Sequence, residues 1–518
     1  MTRRTALQTI AAGAGGFRQI ARGQSRRPNI ILIMADDMGF SDIGCYGSEI
    51  ATPNLDGLAR DGARFTQFCN TARCCPTRSA LLTGLYNHQT GVGHMIQDRG
   101  KPAYRGFLND RCVTIGEALR EGGYNTLMSG KWHVGEERPH WPTDRGFDRY
   151  FGLVTGADNY FRPQRQMALQ DRPFKPDSPD FYMTDAFTDY AVDRIGEYGN
   201  REKPYFLYLA YTAPHWPLHA RPRDIDKYRG RYRKGWDALR RERHQRMIAN
   251  GIVDRKWPLT PRDPDVPAWE SVADNAARAL QMAVYAAQID SMDQGIGRVL
   301  AKVRETGQED NTLIMFLADN GGCAEERIAG ENSHPPGPAE SFTSYGKAWA
   351  NASNTPFRLY KHWVHEGGIA SPFIARWPAR IKDRGVLLQQ PSHVIDIMAT
   401  CLDAAGVQYP TTYRGRNITP LEGRSLLPAF AGKQPRIHDA IFWEHEGNRA
   451  VRQDNWKLVS KHPGGWELYD LAADRTEMND LAAKDPDRVK RMASRYESWA
   501  ERCGVLPWEQ VRPMRKKA

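Results

Sequence analysis

Two apolar runs with acidic ends constrain this chain more than any other feature. Asn29 to Ala35 (NIILIMA) reads as a buried strand and stops in Asp36-Asp37, and far downstream Thr312 to Ala318 (TLIMFLA) stops in Asp319-Asn320-Gly321-Gly322. Runs apolar at every position suit strands covered on both faces, the pattern of parallel strands in an α/β sheet. In such a sheet the functional crevice lies outside the carboxyl ends of the strands, so the two acidic tips can meet there. Three carboxylates and an amide oxygen form a hard, all-oxygen donor set, suited to Ca²⁺ or Mg²⁺ and poorly to zinc. The competing reading makes each Asp a helix cap or turn residue.

Two more runs favour the crevice. Tyr124 to Ser129 leads into Gly130-Lys131-Trp132-His133-Val134-Gly135, and Tyr205 to Tyr211 leads into Thr212-Ala213-Pro214-His215-Trp216. Four apolar runs thus end in groups that bind a metal, bind an anion or move a proton. Between the first and second lies Cys74-Cys75-Pro76-Thr77-Arg78-Ser79-Ala80-Leu81-Leu82-Thr83-Gly84. Pro76 suits the first turn of a helix, which places Cys74 at the positive N-terminal end with Arg78 one turn on. As plain cysteine chemistry this predicts a low-pKa thiolate nucleophile; the alternative is a buried thiol packed under a loop.

The chain has 518 residues, enough for two domains with a sizeable core, and its 40% apolar and 26% charged residues are a globular composition. Its eight cysteines are too sparse for a disulfide framework and include no Cys-x-x-Cys pair. No apolar run reaches the length of a membrane span. At the N-terminus Arg3-Arg4 precedes a Gly/Ala-rich stretch from Ala6 to Phe17. That layout is read as a twin-arginine-type export signal, which predicts a periplasmic or secreted protein, the alternative being a disordered tail on a cytoplasmic one. The net charge of +11 is local: Arg221 to Arg262 holds 14 Lys or Arg against 5 Asp or Glu, leaving +2 for the rest. Basic charge confined to one segment, without a reader motif, gives no support to a nucleic-acid partner.

Cys74-x-Pro76-x-Arg78 resembles the signature of the formylglycine-dependent sulfatases of the alkaline phosphatase superfamily, with the bacterial arylsulfatases most similar. The likeness extends through Asp36-Asp37, Thr52-Pro53-Asn54-Leu55-Asp56, Gly130-Lys131-Trp132-His133 and Gly146-Phe147-Asp148. It continues through Thr355 to Trp363, Glu366-Gly367-Gly368 and Trp466 to Leu471. One departure is Thr77, where the family form most often has Ser. The resemblance implies a sulfate-monoester hydrolase in which Cys74 is converted to Cα-formylglycine by a formylglycine-generating or other sulfatase-maturing enzyme. It implies Ca²⁺, or Mg²⁺, held by Asp36, Asp37, Asp319 and Asn320, with residue 74 completing the shell. Arg78 would hold the hydrated aldehyde, and Lys131 and Lys361 would bind sulfate oxygens. His133 would be the base for sulfate elimination, and His215, with Lys361, would serve the leaving oxygen. The substrate is then a sulfated small molecule or a sulfated glycan. The alternatives are a phosphonate monoester or phosphodiester hydrolase of the same superfamily, or a non-catalytic binder of sulfated glycans if Cys74 stays unmodified.

The expected fold is α/β: a large mixed-sheet, alkaline-phosphatase-like domain over 28–415, with helices on both faces, then a smaller α+β domain over 416–518. Ala440 to Glu444, Trp456 to Ser460 and Glu467 to Asp470 read as strands of a four-stranded antiparallel sheet, and Pro486 to Arg502 as its helix. Asp290 and Asp293, in a long helical pattern from Ala276 to Val303, read as helix-surface or packing groups. His362 and His365 read as lining the substrate mouth or a solvated loop, and Glu444 and Glu446 as uninvolved in the metal site. His88 and His94 have no assigned role. The basic insertion of about 220–270, with Trp236, Trp257 and Trp269, reads as a pocket rim or oligomer contact that attracts anionic substrates, or as a solvated basic loop and helix.

Overall fold

The computed structural model describes residues 27–327, 334–433 and 435–511. The export signal or tail is expected over residues 1–27, of which all but Arg27 lie outside the described residues. Among the described residues no helix is long and apolar enough to cross a membrane.

Ten strands form one mixed sheet. Its centre is four parallel strands in the order Thr312–Ala318, Asn29–Ala35, Tyr205–Ala210 and Asn125–Gly130. Phe373–Arg376 pairs antiparallel to Thr312–Ala318, and Arg149–Leu153 continues the other side in parallel. All seven residues of each acidic-tipped strand are buried, as their unbroken apolar runs predict. Alternation then divides them between two cores. Ile31 and Ile33 pack with the helices Pro53–Asp61, Met183–Tyr198 and Asn275–Glu305. Ile30, Leu32 and Met34 pack on the other face with Cys74–Thr83, Ile115–Glu121 and Asp396–Ala405.

Register sets the crevice. Ala35 pairs with Ala318, Met34 with Ala210, and Gly130 with Ala210, so the four carboxyl ends stop at one level. Gly130 turns there with φ of +115°, and a Cβ would lie 1.9 Å from the Ala210 carbonyl oxygen, so only glycine lets the Lys131 segment leave the sheet at that point.

The smaller sheet is antiparallel in the order Ile441–His445, Asn448–Gln453, Trp456–Ser460 and Glu467–Asp470, with the helix Pro486–Cys503 against it. Trp499 of that helix stacks on Phe442 at 5.1 Å. A buried charge cluster ties this sheet to the short helix Glu366–Ile369, which precedes the Phe373–Arg376 strand of the larger one. Lys457 lies 3.0 Å from Glu366 and 2.8 Å from Glu477, and Arg475 lies 2.9 Å from Glu366.

The tryptophans of the basic insertion pack inward, where the sequence offers a pocket rim, an oligomer contact or a solvated basic loop and helix. Trp236 and Trp269 are buried and stand edge-on at 4.7 Å, both packed against Trp349. Trp257 is half-buried and donates from its indole to the Ala472 carbonyl at 3.2 Å. Arg243 is fully buried between Asp42 (2.6 Å) and Glu49 (2.9 Å). Asp290 and Asp293 are likewise packing groups rather than helix-surface ones. Asp293 accepts from the backbone N–H groups of Asn54 and Leu55, capping the Pro53–Asp61 helix, and Asp290 accepts from Tyr228 and Lys227.

Candidate active site

Asp36, Asp37, Asp319 and Asn320 follow directly on adjacent parallel strands, and all are buried. The backbone draws the tips together: Asp319 N–H donates to the Ala35 carbonyl at 3.1 Å, and Asp37 N–H donates to Asp319 Oδ1 at 3.1 Å. Asn320 Nδ2 donates to Asp37 Oδ1 at 2.7 Å, which leaves Asn320 Oδ1 free of protein donors. Asp36 Oδ1 is also buried without a partner. Orphaned buried acceptors are costly, and two of them among carboxylates fit a hard cation that accepts their lone pairs.

Three cations face these acids. Arg78 reaches Asp319 at 2.8 Å and Asp36 at 3.2 Å, Lys131 reaches Asp36 at 2.5 Å, and Lys361 reaches Asp37 at 2.6 Å. Burial pushes the Asp36 carboxyl up, yet Lys131, His215 and Arg78 together outweigh it and hold it at about 2. Asp319 goes the other way: burial and the neighbouring Asp36 push it well above the usual carboxylate range. A second positive charge at that point relieves both effects, since it stabilises both carboxylates as anions.

Cys74 opens the helix Cys74–Thr83, as Pro76 predicts, and is buried. A hydrogen bond from Cys75, against the opposing effect of burial, and the charges of Lys131, His133 and Lys361 pull its thiol well below the ordinary cysteine value. The Thr77 hydroxyl accepts from Thr71 N–H at 3.1 Å and shares a hydrogen bond with its hydroxyl at 2.9 Å. Either hydroxyl residue can serve that turn, which accounts for Thr in place of Ser.

His133 presents its ring to Cys75 Sγ at 3.3 and 3.4 Å, and burial, with Lys131 beside it, lowers its pKa to about 4. His215 donates from Nδ1 to the Trp216 carbonyl at 2.6 Å, leaving Nε2 3.4 Å from Asp37 Oδ2. Burial keeps this imidazole below its ordinary pKa.

All ten residues singled out from sequence come together in this crevice. Residues missed there include Glu325, half-buried and paired with Arg73 at 3.1 Å, and Tyr208, within 3.5 Å of Arg78. Tyr285 was missed as well: its hydroxyl lies 2.8 Å from Asp42 Oδ2 and 3.1 Å from the Asp37 carbonyl. Five non-glycine residues with positive φ also gather here: Asp37, Ala72, His133, Leu359 and His362. Strained backbone concentrated around one crevice marks a site that the surrounding packing holds in place. His362 and His365 diverge: His365 is buried against Glu467 at 3.4 Å, and His362 is partly exposed beside Glu446.

The sulfatase family model matches residues 28–407, and the model described as N-sulphoglucosamine sulphohydrolase, C-terminal, matches residues 357–497. An uncharacterized sulfatase of Schizosaccharomyces pombe is 35% identical over 534 residues, covering 94% of this chain and 95% of its own. An arylsulfatase of Klebsiella aerogenes is 36% identical over 431 residues, covering 78% and 92%. Among solved structures, Ps i-CgsB in complex with k-i-k-neocarrahexaose superposes with a TM-score of 0.71 at 26% identity, covering 94% of this chain and 95% of that one. The chain belongs to the sulfatase family, and its fold is the alkaline-phosphatase-like fold of sulfatases.

Proposed function

We propose that this member of the sulfatase family hydrolyses a sulfate monoester to an alcohol or phenol and inorganic sulfate, with residue 74 working as Cα-formylglycine and Ca²⁺ as its resident ion. Mg²⁺ is the other hard cation that the donor set admits. The observation that carries the reading is the meeting of three carboxylates, three cations and Cys74 at one level of four parallel strands. Asp36, Asp37 and Asp319 balance Arg78, Lys131 and Lys361, so the protein groups sum to zero charge. A divalent cation makes the crevice positive, matching a sulfuryl group that gains negative charge in the transition state.

When bound, Ca²⁺ would supply Lewis-acid polarisation of a sulfuryl oxygen, held by Asp36, Asp37, Asp319 and the Asn320 amide oxygen. Maturation of Cys74 by a formylglycine-generating enzyme would supply a geminal diol, one hydroxyl serving as nucleophile and the other for release of sulfate. The remaining work falls to side chains already in place. Lys131 and Lys361 donate to sulfuryl oxygens, and Arg78 fixes the groups around residue 74 through its planar fork. His133, kept neutral by burial, accepts a proton near residue 74. His215, with its Nδ1–H committed to the Trp216 carbonyl, carries a proton at Nε2 only as the imidazolium beside Asp37, and in that form gives it to the leaving oxygen.

The alcohol half of the substrate is an aryl group or a sugar. The likeness to the Klebsiella arylsulfatase supports the first, and the likeness to a structure bearing a neocarrahexaose supports the second. Mass spectrometry of the peptide spanning Arg73 to Arg78, from protein made with a maturation enzyme, should show the aldehyde at 74. Kinetics on an aryl sulfate, sulfated oligosaccharides and a phosphate diester complete the test. Faster turnover of the diester replaces the proposal with a phosphodiester or phosphonate monoester hydrolase, and unmodified Cys74 with glycan binding replaces it with a binder.

A further inference from the structure

We infer that the chain carries a second metal site, of transition-metal type, formed by His362, His445 and Glu446 with His94 behind the carboxylate. It stands beside the crevice, since His362 follows Lys361 and its N–H donates to the Ala72 carbonyl at 2.7 Å. His445 ends the strand Ile441–His445, and Glu446 follows in the turn before Asn448–Gln453. The inference stands apart from the sulfate-ester reading.

The distances are those of ligands around an ion. His362 Nδ1 lies 3.3 Å from Glu446 Oε2, His445 Nε2 lies 3.6 Å from Glu446 Oε1, and one donor atom from each residue falls within 4.8 Å of the others. Tetrahedral bonds of about 2.0–2.1 Å separate neighbouring ligand atoms by about 3.4 Å. The contact of His94 is of another kind: its Nε2 donates to Glu446 Oε1 at 2.6 Å, the way an outer histidine orients a ligating carboxylate. His445 makes the case independently. It is fully buried, and neither ring nitrogen has a hydrogen-bond partner, an expensive arrangement for an imidazole facing a carboxylate unless something sits between them.

Two imidazoles and a carboxylate select a borderline cation such as Zn²⁺, in contrast with the oxygen donors at the strand tips. The His362 and Glu446 side chains are 26% and 24% exposed, so the fourth position opens to solvent. Binding at Nδ1 of His362 places its proton on Nε2, and Asn448 Nδ2, now 3.3 Å from that atom, gives up the contact. Arg73, a cation whose charge reaches all three residues, is engaged with Glu325.

The test uses the full-length, tag-free protein, stripped with chelator and titrated with Zn²⁺ against a chromophoric zinc chelator in excess Ca²⁺. One zinc equivalent is expected, with affinity falling at least about 100-fold in His362→Ala and Glu446→Gln and about 10- to 100-fold in His94→Gln. Circular dichroism of the stripped variants checks that each is folded, and Co²⁺ should give tetrahedral d–d bands in wild type and not in His362→Ala. Among the described residues Cys74, Cys75 and His133 form a group with sulfur donors that could also take zinc, so Cys75→Ala is the control and should keep its zinc. No zinc equivalent in wild type, or one that survives both His362→Ala and Glu446→Gln, overturns the inference. So does one lost only in Cys75→Ala.

Discussion

In the crevice, three cations meet three carboxylates at the tips of parallel strands, each pair is buried, and two acceptor atoms remain without donors. Between Arg221 and Arg262 there are many more cations, and they are placed differently: buried Arg243 is closed on protein partners, buried Arg240 donates to Thr260 with its Nε left unpaired, and the others lie at or near the surface. Arg240 donates to the Thr260 carbonyl and hydroxyl, and Arg243 satisfies Asp42 and Glu49. Arg229 pairs at the surface with Asp226. The comparison separates the amount of charge from its placement. A buried charge with its partners complete is a strut, whereas balanced charge with leftover acceptors at strand ends has room for a ligand. The two regions are nonetheless joined, because Arg243 holds Asp42, and Asp42 shares the Tyr285 proton with the Asp37 carbonyl.

Removing a crevice cation should have the largest effect. Lys361→Ala takes away the ammonium beside both Asp37 oxygens and, in the proposed chemistry, a donor to the sulfuryl group. The kcat for an aryl sulfate should fall about 10²–10³-fold, the usual cost of losing a preorganised donor to developing charge. Circular dichroism should show a folded protein. A loss under tenfold would place Lys361 outside the transition state.

Removing the strut should damage stability instead. Arg243→Met leaves Asp42 buried without its cation and Glu49 with only the partly exposed Arg246 at 3.4 Å, a change worth about 3–5 kcal/mol. Urea unfolding of the matured enzyme measures it, and a difference under about 1 kcal/mol would mean that water or a rearranged neighbour replaces the guanidinium.

The same pair predicts a pH signature of somewhat smaller size. Burial works against ionised Glu49, but Arg243, helped by hydrogen bonds including one from Tyr232, holds its carboxyl at about 2 against 4.5 in the unfolded reference. Because the folded value is the lower one, this stabilisation is complete above about pH 4.5 and is lost as the pH falls towards 2. It amounts to about 3 kcal/mol. The stability gap between wild type and Arg243→Met should therefore narrow over that window, and a gap independent of pH would remove Glu49 from the account.

Much of the crevice was legible in the sequence because its strands announce themselves locally, an apolar run and then its polar tip, and Pro76 marks the helix that carries Cys74 and Arg78; Lys361 follows no such run and came from the family resemblance. The strands Trp456–Ser460 and Glu467–Asp470 were legible for a different reason, as short mixed runs of β-formers spaced for an antiparallel sheet. Asn448–Gln453, with Arg at two positions and no clear alternation, carries a weak pattern and forms through pairing with both neighbours. Asp293 stayed open between helix surface and packing in the sequence because its partners, Asn54 and Leu55, are remote along the chain. His94, His362, His445 and Glu446 come from three separate segments, and the positive φ of Ala72 and Leu359 has no compositional cue. Local pattern reports what a segment buries; it does not report which distant segment is buried with it.

The smallest effect should come from the exposed cations that dominate the composition. Arg231, Arg241 and Arg255 are exposed, so reversing all three to Glu should change stability by about 0.5 kcal/mol or less per site. Their fields are screened beyond about 8 Å at physiological salt, which leaves little influence on a small monoanionic aryl sulfate in the crevice, and kcat/KM for it should stay within about twofold. A polysulfated glycan is different, because it extends over the surface and sums many weak attractions during encounter. For that substrate the triple variant should lose a few-fold in kcat/KM at low salt and show a flatter salt dependence. An unchanged salt slope would reduce the whole segment to what Arg243 already shows it to be, a structural insertion whose surface charge has no part in substrate capture.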